Sequence, residues 1–156
     1  MQIERDLAAP GRGTGIKGVT VEEFRGILRD RLPFAAAFGA EIVEMGEGRA
    51  VAILPFKSDF LRPGGTIGGP LLMMLADLVV YAAVLSAIGR VELAVTTSLT
   101  INFLRKPAPL GIRAEAKLLK LGARLAVGEV ALYSEGDSEM VAHVVATYSI
   151  PPRHRT

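Results

Sequence analysis

The sequence contains no cysteine and no tryptophan, and it has only two histidines among its 156 residues. Without cysteine there is no disulfide, no zinc–thiolate centre and no thiol nucleophile. Aromatics amount to 6%, which leaves few platforms on which nucleic-acid bases could stack. A surplus of one charge sign is missing too. Eighteen Lys and Arg stand against 16 Asp and Glu, giving a net charge of +2 with no basic block, so nothing points to a nucleic-acid surface. The first residues, MQIERDLAAPGRGTG, lack the apolar stretch of an export signal, and the expectation is a cytoplasmic protein. Charge is scarcest where the chain is most apolar. Between Arg62 and Gly89 the single charged side chain is Asp77. Burying an ionised carboxylate without partners is so unfavourable that its presence in such a segment asks for a chemical reason.

What the chain does have is a 50% hydrophobic composition over a length suited to one globular core. Residues 1–19, rich in Gly and charge, read as a flexible arm, residues 20–152 as one domain and residues 153–156 as a tail. Thr20 and Glu23 form a T-x-x-E capping box ahead of Phe24, Ile27 and Leu28 on one helical face, and Pro33 ends that helix. AEIVEMGEGRAVAILPFK reads as two strands joined by a turn at 46–48. Four further strand-length segments follow the apolar run. In one of them Ile112, Ala114, Ala116 and Leu118 alternate with Arg113, Glu115 and Lys117, as in a half-buried antiparallel strand, and EGDS at 135–138 reads as a hairpin loop. The apolar run itself predicts a helix from Pro70 to Ile88, about 28 Å long at 1.5 Å per residue, delimited by Gly68 and Gly69 before it and Gly89 after it. That is also long enough to span a membrane. The central Asp77, the lack of one-sided basic flanks and the alternating strands argue instead for an α+β fold, an antiparallel sheet curled around one central helix.

The stretch RPGGTIGGP at 62–70 aligns without a gap to a motif N-P-x-G-x-x-H-G-G, and Asp77 stands nine residues after Gly68, where that motif has its acid. TTSLTINFLRKPAP and LLKLGARLAVGEVAL fit the strand and hairpin that follow. On these residues, from about 35 to 150, the chain resembles hotdog-fold thioesterases of the PaaI-like (phenylacetate-pathway) type. Arg62 takes the asparagine position, Gly68 the histidine position, and Pro70 the last glycine. The resemblance implies acyl-CoA thioester hydrolysis needing no cofactor and no metal. The Gly69 N–H, at the positive end of the helix, would hold the thioester oxygen, and Asp77 would activate water or attack the carbonyl carbon. Eight residues of helix separate Gly69 from Asp77, about 12 Å, too far for one carbonyl to meet both. The two groups are therefore expected from different subunits of a homodimer, or of a dimer of dimers. The alternative in another class is a hotdog protein that binds an acyl-CoA thioester without hydrolysing it.

Thr96 matches a family hydroxyl that places water or the carboxylate; equally, Thr96, Thr97, Ser98 and Thr100 read as β-formers on a solvated face. Met73, with Met74, would shape an acyl pocket or simply pack the helix, and Tyr81 would bond Asp77, line the pocket or cap the core. Arg62 is a candidate for the pantetheine arm or for the partner's acid, and Arg105, Lys106, Arg153 and Arg155 for the phosphates of coenzyme A. His143, in a Val-rich strand, reads as a sheet-face residue, and His154 lies in the tail. No Ser-His-Asp order is assembled, and no histidine follows Asp77 as a hydratase relative would need. Neither nucleic acid nor membrane is an expected partner.

Overall fold

The structure, a computed structural model, describes residues 15–153. Most of the expected arm, the tail's His154 and the candidate Arg155 lie outside the described residues. Where the arm's inner end is described, it is bound: Val19 is buried and donates its N–H to the Leu85 carbonyl (3.1 Å). Gly18 passes so close to the end of the long apolar helix that a Cβ there would stand 1.9 Å from the Ser86 carbonyl oxygen.

Helix α1 (Val21–Arg31) starts at the expected capping box. The Thr20 hydroxyl accepts from the Glu23 N–H (3.2 Å), and the Glu23 carboxylate accepts from the Thr20 N–H (2.8 Å). Its buried face is Phe24, Ile27 and Leu28. Replacing an N-cap threonine by alanine costs about 1 kcal/mol. Thr20→Ala is accordingly expected to lower the melting temperature by about 2–4 °C, and thermal unfolding followed by circular dichroism checks it. Pro33 both ends α1 and opens a second short helix, α2 (Pro33–Ala37), because a proline suits the first helical turn as well as it breaks an interior.

Strands β1 (Glu41–Gly46) and β2 (Arg49–Leu54) are joined by Glu47 and Gly48, both at positive φ (50° and 77°), the backbone of a tight primed hairpin turn. A 3₁₀ turn at Ser58–Phe60 leads into a two-residue hairpin, β3 (Leu61–Arg62) and β4 (Thr66–Ile67), which has too few residues for any periodicity to reveal it. The long helix α3 (Gly69–Ile88) follows, then β5 (Val95–Phe103), β6 (Ile112–Leu121), β7 (Leu125–Ser134) and β8 (Met140–Ser149). Helix α3 begins one residue earlier than expected, at Gly69, so Pro70 is its second residue.

All strand pairs in the main sheet are antiparallel, in the order β1-β2-β6-β7-β8-β5. The sheet packs one face on α3. Ile112, Ala114 and Ala116 of β6, Ala126, Val130 and Leu132 of β7, and Ala142, Val144, Ala146 and Tyr148 of β8 are buried, and the intervening residues face away. Helix α3 is long and apolar enough to cross a membrane by length and composition alone. Yet 72% of its most apolar window is buried inside the protein, so its apolarity is accounted for by the core it fills. This is the hotdog arrangement, a sheet around a central helix.

Strand β5 forms one edge of that sheet, and it carries a bulge. Thr96 stands opposite Tyr148 but Ser98 stands opposite Thr147, which leaves Thr97 as the extra residue. A regular strand would put Thr96 and Ser98 on the helix side. The bulge instead aligns Thr96, Leu99, Ile101 and Phe103 opposite the inward row Tyr148, Ala146, Val144 and Ala142 of β8. One strand thereby supplies both a hydroxyl and apolar core residues to the same face.

Candidate active site

RPGGTIGGP folds as the β3–β4 hairpin running straight into α3. The hairpin turns through Gly64 and Gly65, both at positive φ (95° and 71°), and the Thr66 hydroxyl ties it to the Pro107 carbonyl (2.8 Å). Gly68 is the N-cap, extended at φ −66° and ψ 138°, and offers no side chain to satisfy the first helical N–H groups. Gly69 follows as the first helical residue, and among the described residues no acceptor takes its N–H. An unpaired N–H at the positive end of a helix dipole is a ready anion or carbonyl donor. The Phe103 ring lies over it: a Cβ on Gly69 would come within 3.1 Å of the ring.

Two turns further on, Asp77 is half-buried between α3 and the β5–β8 edge. Thr96 donates to its Oδ1 at 2.5 Å and Tyr148 donates to the same oxygen at 2.7 Å. The Tyr148 hydroxyl also lies 2.9 Å from the Asp77 main-chain carbonyl. Among the described residues no donor reaches Oδ2. Tyr148 is only 2% exposed. Burial, and then the Asp77 charge beside it, push its hydroxyl far above the ordinary phenol range, so it remains a proton donor at any working pH. Asp77, Thr96 and Tyr148 open into a cavity of about 560 Å³ whose other walls are mostly apolar, among them Phe34, Met73, Met74, Leu78 and Leu99. Its size is that of a small-molecule site.

Tyr81 lines this cavity as well, but its hydroxyl donates to the Glu92 carbonyl (3.0 Å) rather than to Asp77, and its ring stacks on Tyr148. Burial and then the Glu92 charge push the Tyr81 hydroxyl up to about 12. The Glu92 carboxylate, at the rim, is held by Arg31 (3.4 Å) and Arg90 (3.1 Å).

Gly69 is not in this cavity. With Arg62, Lys106, Arg105 and Phe103 it borders a second one, of about 610 Å³, which shares no lining residue with the first. Within one chain, therefore, the helix N-terminus and the carboxylate face different spaces. Arg62 is exposed at the second cavity, and Gly68 stays behind as the helix cap. Of the other basic candidates, Arg105 is occupied by Glu139 and Asp137, and Arg153 by the Ile88 carbonyl at the far end of α3. His143 points to the opposite face of the sheet. There it bonds Glu129 (3.0 Å), whose carboxyl is held below its usual range by His143 and then by Lys117. Among the described residues no cluster of acids and histidines could hold a metal ion.

The residue that sequence reasoning missed is Tyr148. Read alone, it is one more aromatic β-former near the end of a Val-rich strand. The signal was its parity: it falls on the same face as Ala142, Val144 and Ala146, which makes it the one polar group in an inward row.

With this geometry in view, comparisons with known proteins are decisive for the family. A model of the thioesterase superfamily matches residues 64–141, from the β3–β4 turn to the start of β8. The crystal structure of a candidate thioesterase from a Silicibacter species is 40% identical, covers 89% of this chain and 97% of its own, and superposes with a TM-score of 0.79. The chain belongs to the thioesterase superfamily. Within the superfamily it is similar to the solved structure of a point variant of the phenylacetic acid degradation protein PaaI of Thermus thermophilus, at 28% identity with a TM-score of 0.68 over 76% of this chain and 99% of that one. It is also 28% identical, over 70% of its length and 77% of the relative's, to a candidate esterase of Saccharolobus solfataricus. The matched range contains Gly69, Asp77 and Thr96, while Arg62 and Tyr148 lie outside it.

Proposed function

We propose that this thioesterase-superfamily protein hydrolyses acyl-CoA thioesters at a site completed across a subunit interface. The observation that carries the reading is the Asp77 carboxylate, held by two hydroxyl donors on one oxygen while the other is open at an apolar cavity. A carboxylate so placed acts as general base or nucleophile toward an ester carbonyl whose acyl group fills the apolar walls. In the general-base route, the oxygen of a water molecule adds to the carbonyl carbon as its proton passes to Asp77. The carbon–sulfur bond then breaks, and the thiolate leaves with that proton. In the nucleophilic route Asp77 itself bonds the carbon, expels the thiolate and is released when water opens the mixed anhydride. Either way a negative charge develops on the carbonyl oxygen and needs a donor.

That donor is the Gly69 N–H of a second copy. Among the described residues strand β5 ends the sheet with its outer edge unpaired, and Val95 (57% exposed), Phe103 (54%) and Leu104 (55%) are left uncovered along it. A long apolar edge of this kind is a template for pairing. Two copies joined antiparallel along β5 place the Thr96 end of one beside the Phe103 end of the other. The cavity holding Asp77 then meets the partner's cavity holding Gly69, which resolves the separation seen within one chain. Arg62 and Lys106 of that second cavity, which make no ion pair among the described residues, are suited to the phosphate-bearing arm of coenzyme A.

A second reading, binding of the thioester without turnover, is favoured by Arg62 and Gly68 standing where the family motif has asparagine and histidine. A panel of short, branched, aromatic and long acyl-CoA esters, assayed by release of free thiol, separates the two. Catalytic release with at least one ester class is expected. Acyl-CoA affinity by calorimetry with no thiol released from any ester would establish the binder.

A further inference from the structure

We propose that Tyr148 is a positioning residue for Asp77, which with Thr96 fixes the carboxylate so that Oδ2 is the oxygen presented to the substrate. The inference rests on the thioesterase reading above and adds to it a residue from the opposite edge of the site.

Three observations carry it. The first is convergence. A freely solvated carboxylate shares donors between its oxygens, whereas here Thr96 (2.5 Å) and Tyr148 (2.7 Å) both meet Oδ1, and none among the described residues meets Oδ2. The second is the additional approach of the Tyr148 hydroxyl to the Asp77 main-chain carbonyl, at 2.9 Å. Spanning the backbone and the side chain of one residue, the phenol restrains rotation about both side-chain torsions of Asp77. The third is the comparison with Tyr81. That neighbouring tyrosine has its hydroxyl satisfied by a main-chain carbonyl alone, so a buried tyrosine in this core has no need of the acid. Tyr148 makes the shorter contact to the carboxylate, from a ring sealed at 2% exposure.

The bulge at Thr97 makes the arrangement possible. It brings Thr96 into register with Tyr148, so the two donors are direct cross-strand neighbours on β5 and β8 and act on one oxygen from the same side. A carboxylate held by fixed donors meets its substrate already oriented, and the benefit appears in the chemical step rather than in binding.

The test is Tyr148→Phe, which deletes one oxygen and keeps the ring. A hydrogen bond to a charged group is worth enough that kcat is expected to fall by about 10- to 100-fold, with KM and melting temperature close to wild type. Thr96→Val is expected to act in the same direction, and the double variant to turn over more slowly than either. A merely structural tyrosine would lower the melting temperature or raise KM and leave kcat alone, and that result would overturn the inference. Should phenylalanine prevent folding, fluorotyrosine at position 148 retains the ring and hydroxyl while changing donor strength. A changed kcat at constant stability then supports the role, and an unchanged kcat removes it. Asp77→Asn is run in parallel to keep the two questions apart. Loss of turnover in Asp77→Asn together with full kcat in Tyr148→Phe sinks the positioning role only. Turnover that survives Asp77→Asn takes the acid, and the positioning role with it, out of the chemistry, whereas absence of thiol release from every ester in the wild type sinks the thioesterase reading itself.

Discussion

Asp77→Asn is expected to reduce thiol release from acyl-CoA by about 10³-fold or more in kcat, within the range general bases and carboxylate nucleophiles contribute, without unfolding the protein. The amide keeps the size of the carboxylate, and its oxygen can accept the same two donors from Thr96 and Tyr148 that Oδ1 accepts now. What it loses is the second oxygen's ability to take a proton or form a bond. The measurement is steady-state kinetics beside a thermal melt and an acyl-CoA titration. Near-normal melting and retained binding with lost turnover is the expected triad of results. Thiol release at the wild-type rate would show that the chemistry does not pass through this acid. In the wild type, label found on Asp77 after a single turnover in heavy-oxygen water identifies the nucleophilic route with water opening the anhydride at the Asp77 carboxyl carbon.

The second large effect concerns the helix start. Gly69→Pro removes the unpaired N–H at a position where the helix has no partner for it and proline is favoured, and it sets a second ring directly before Pro70, where a helical backbone is disfavoured. The preceding Gly68, at φ −66° and ψ 138°, already has the extended backbone that a residue before proline requires. The new Cβ would press on the Phe103 ring at 3.1 Å, and that ring must shift to receive it. Removing one oxyanion donor costs about 10²–10³ in kcat, and that loss is expected here beside a lowered melting temperature, the cost of the displaced ring and of the paired prolines, with retained acyl-CoA binding showing that the variant is folded. The same variant tests whether the site is shared. Mixing Asp77→Asn and Gly69→Pro subunits gives hybrid dimers in which, if each site joins the acid of one copy to the N–H of the other, one site holds both lesions and the other holds neither. Activity reappears on mixing. If acid and donor belonged to the same chain, every site would carry a lesion and mixing would restore nothing.

The parts of this architecture that the sequence displays most openly are those where a single physical requirement dominates. The capping box, the alternation in β6 and the Gly89 exit of α3 each follow one local rule, and the structure has them where that rule puts them, with the entry of α3 one residue earlier. Asp77 was conspicuous for the same reason, as one charge in an apolar run. Where two requirements compete, the signal blurs. Pro33 serves at once as the end of α1 and the start of α2, and only the first is visible in advance. The Thr-rich start of β5 reads equally as a solvated face, because the extra residue that turns Thr96 inward changes the strand's period halfway along. Tyr148 was hidden by its own β propensity. Its partner at the site is 71 residues away in the chain, a pairing that depends on which strands become neighbours.

The bulge in β5 carries an implication for how such a chain can change over time. Substitutions along β5 exchange one side chain for another and leave the rest of the strand in phase. Removing the extra residue Thr97 would leave Thr96, Ser98 and Leu99 opposite Tyr148, Thr147 and Ala146, a regular ladder with the hydroxyl and the apolar row still facing inward, whereas removing one residue between Ser98 and Phe103 would throw one side out of step with β8. Length is therefore under tighter constraint than composition along β5 except at the bulge itself, where lineages of this protein can lose a letter and keep both the inward hydroxyl and the core.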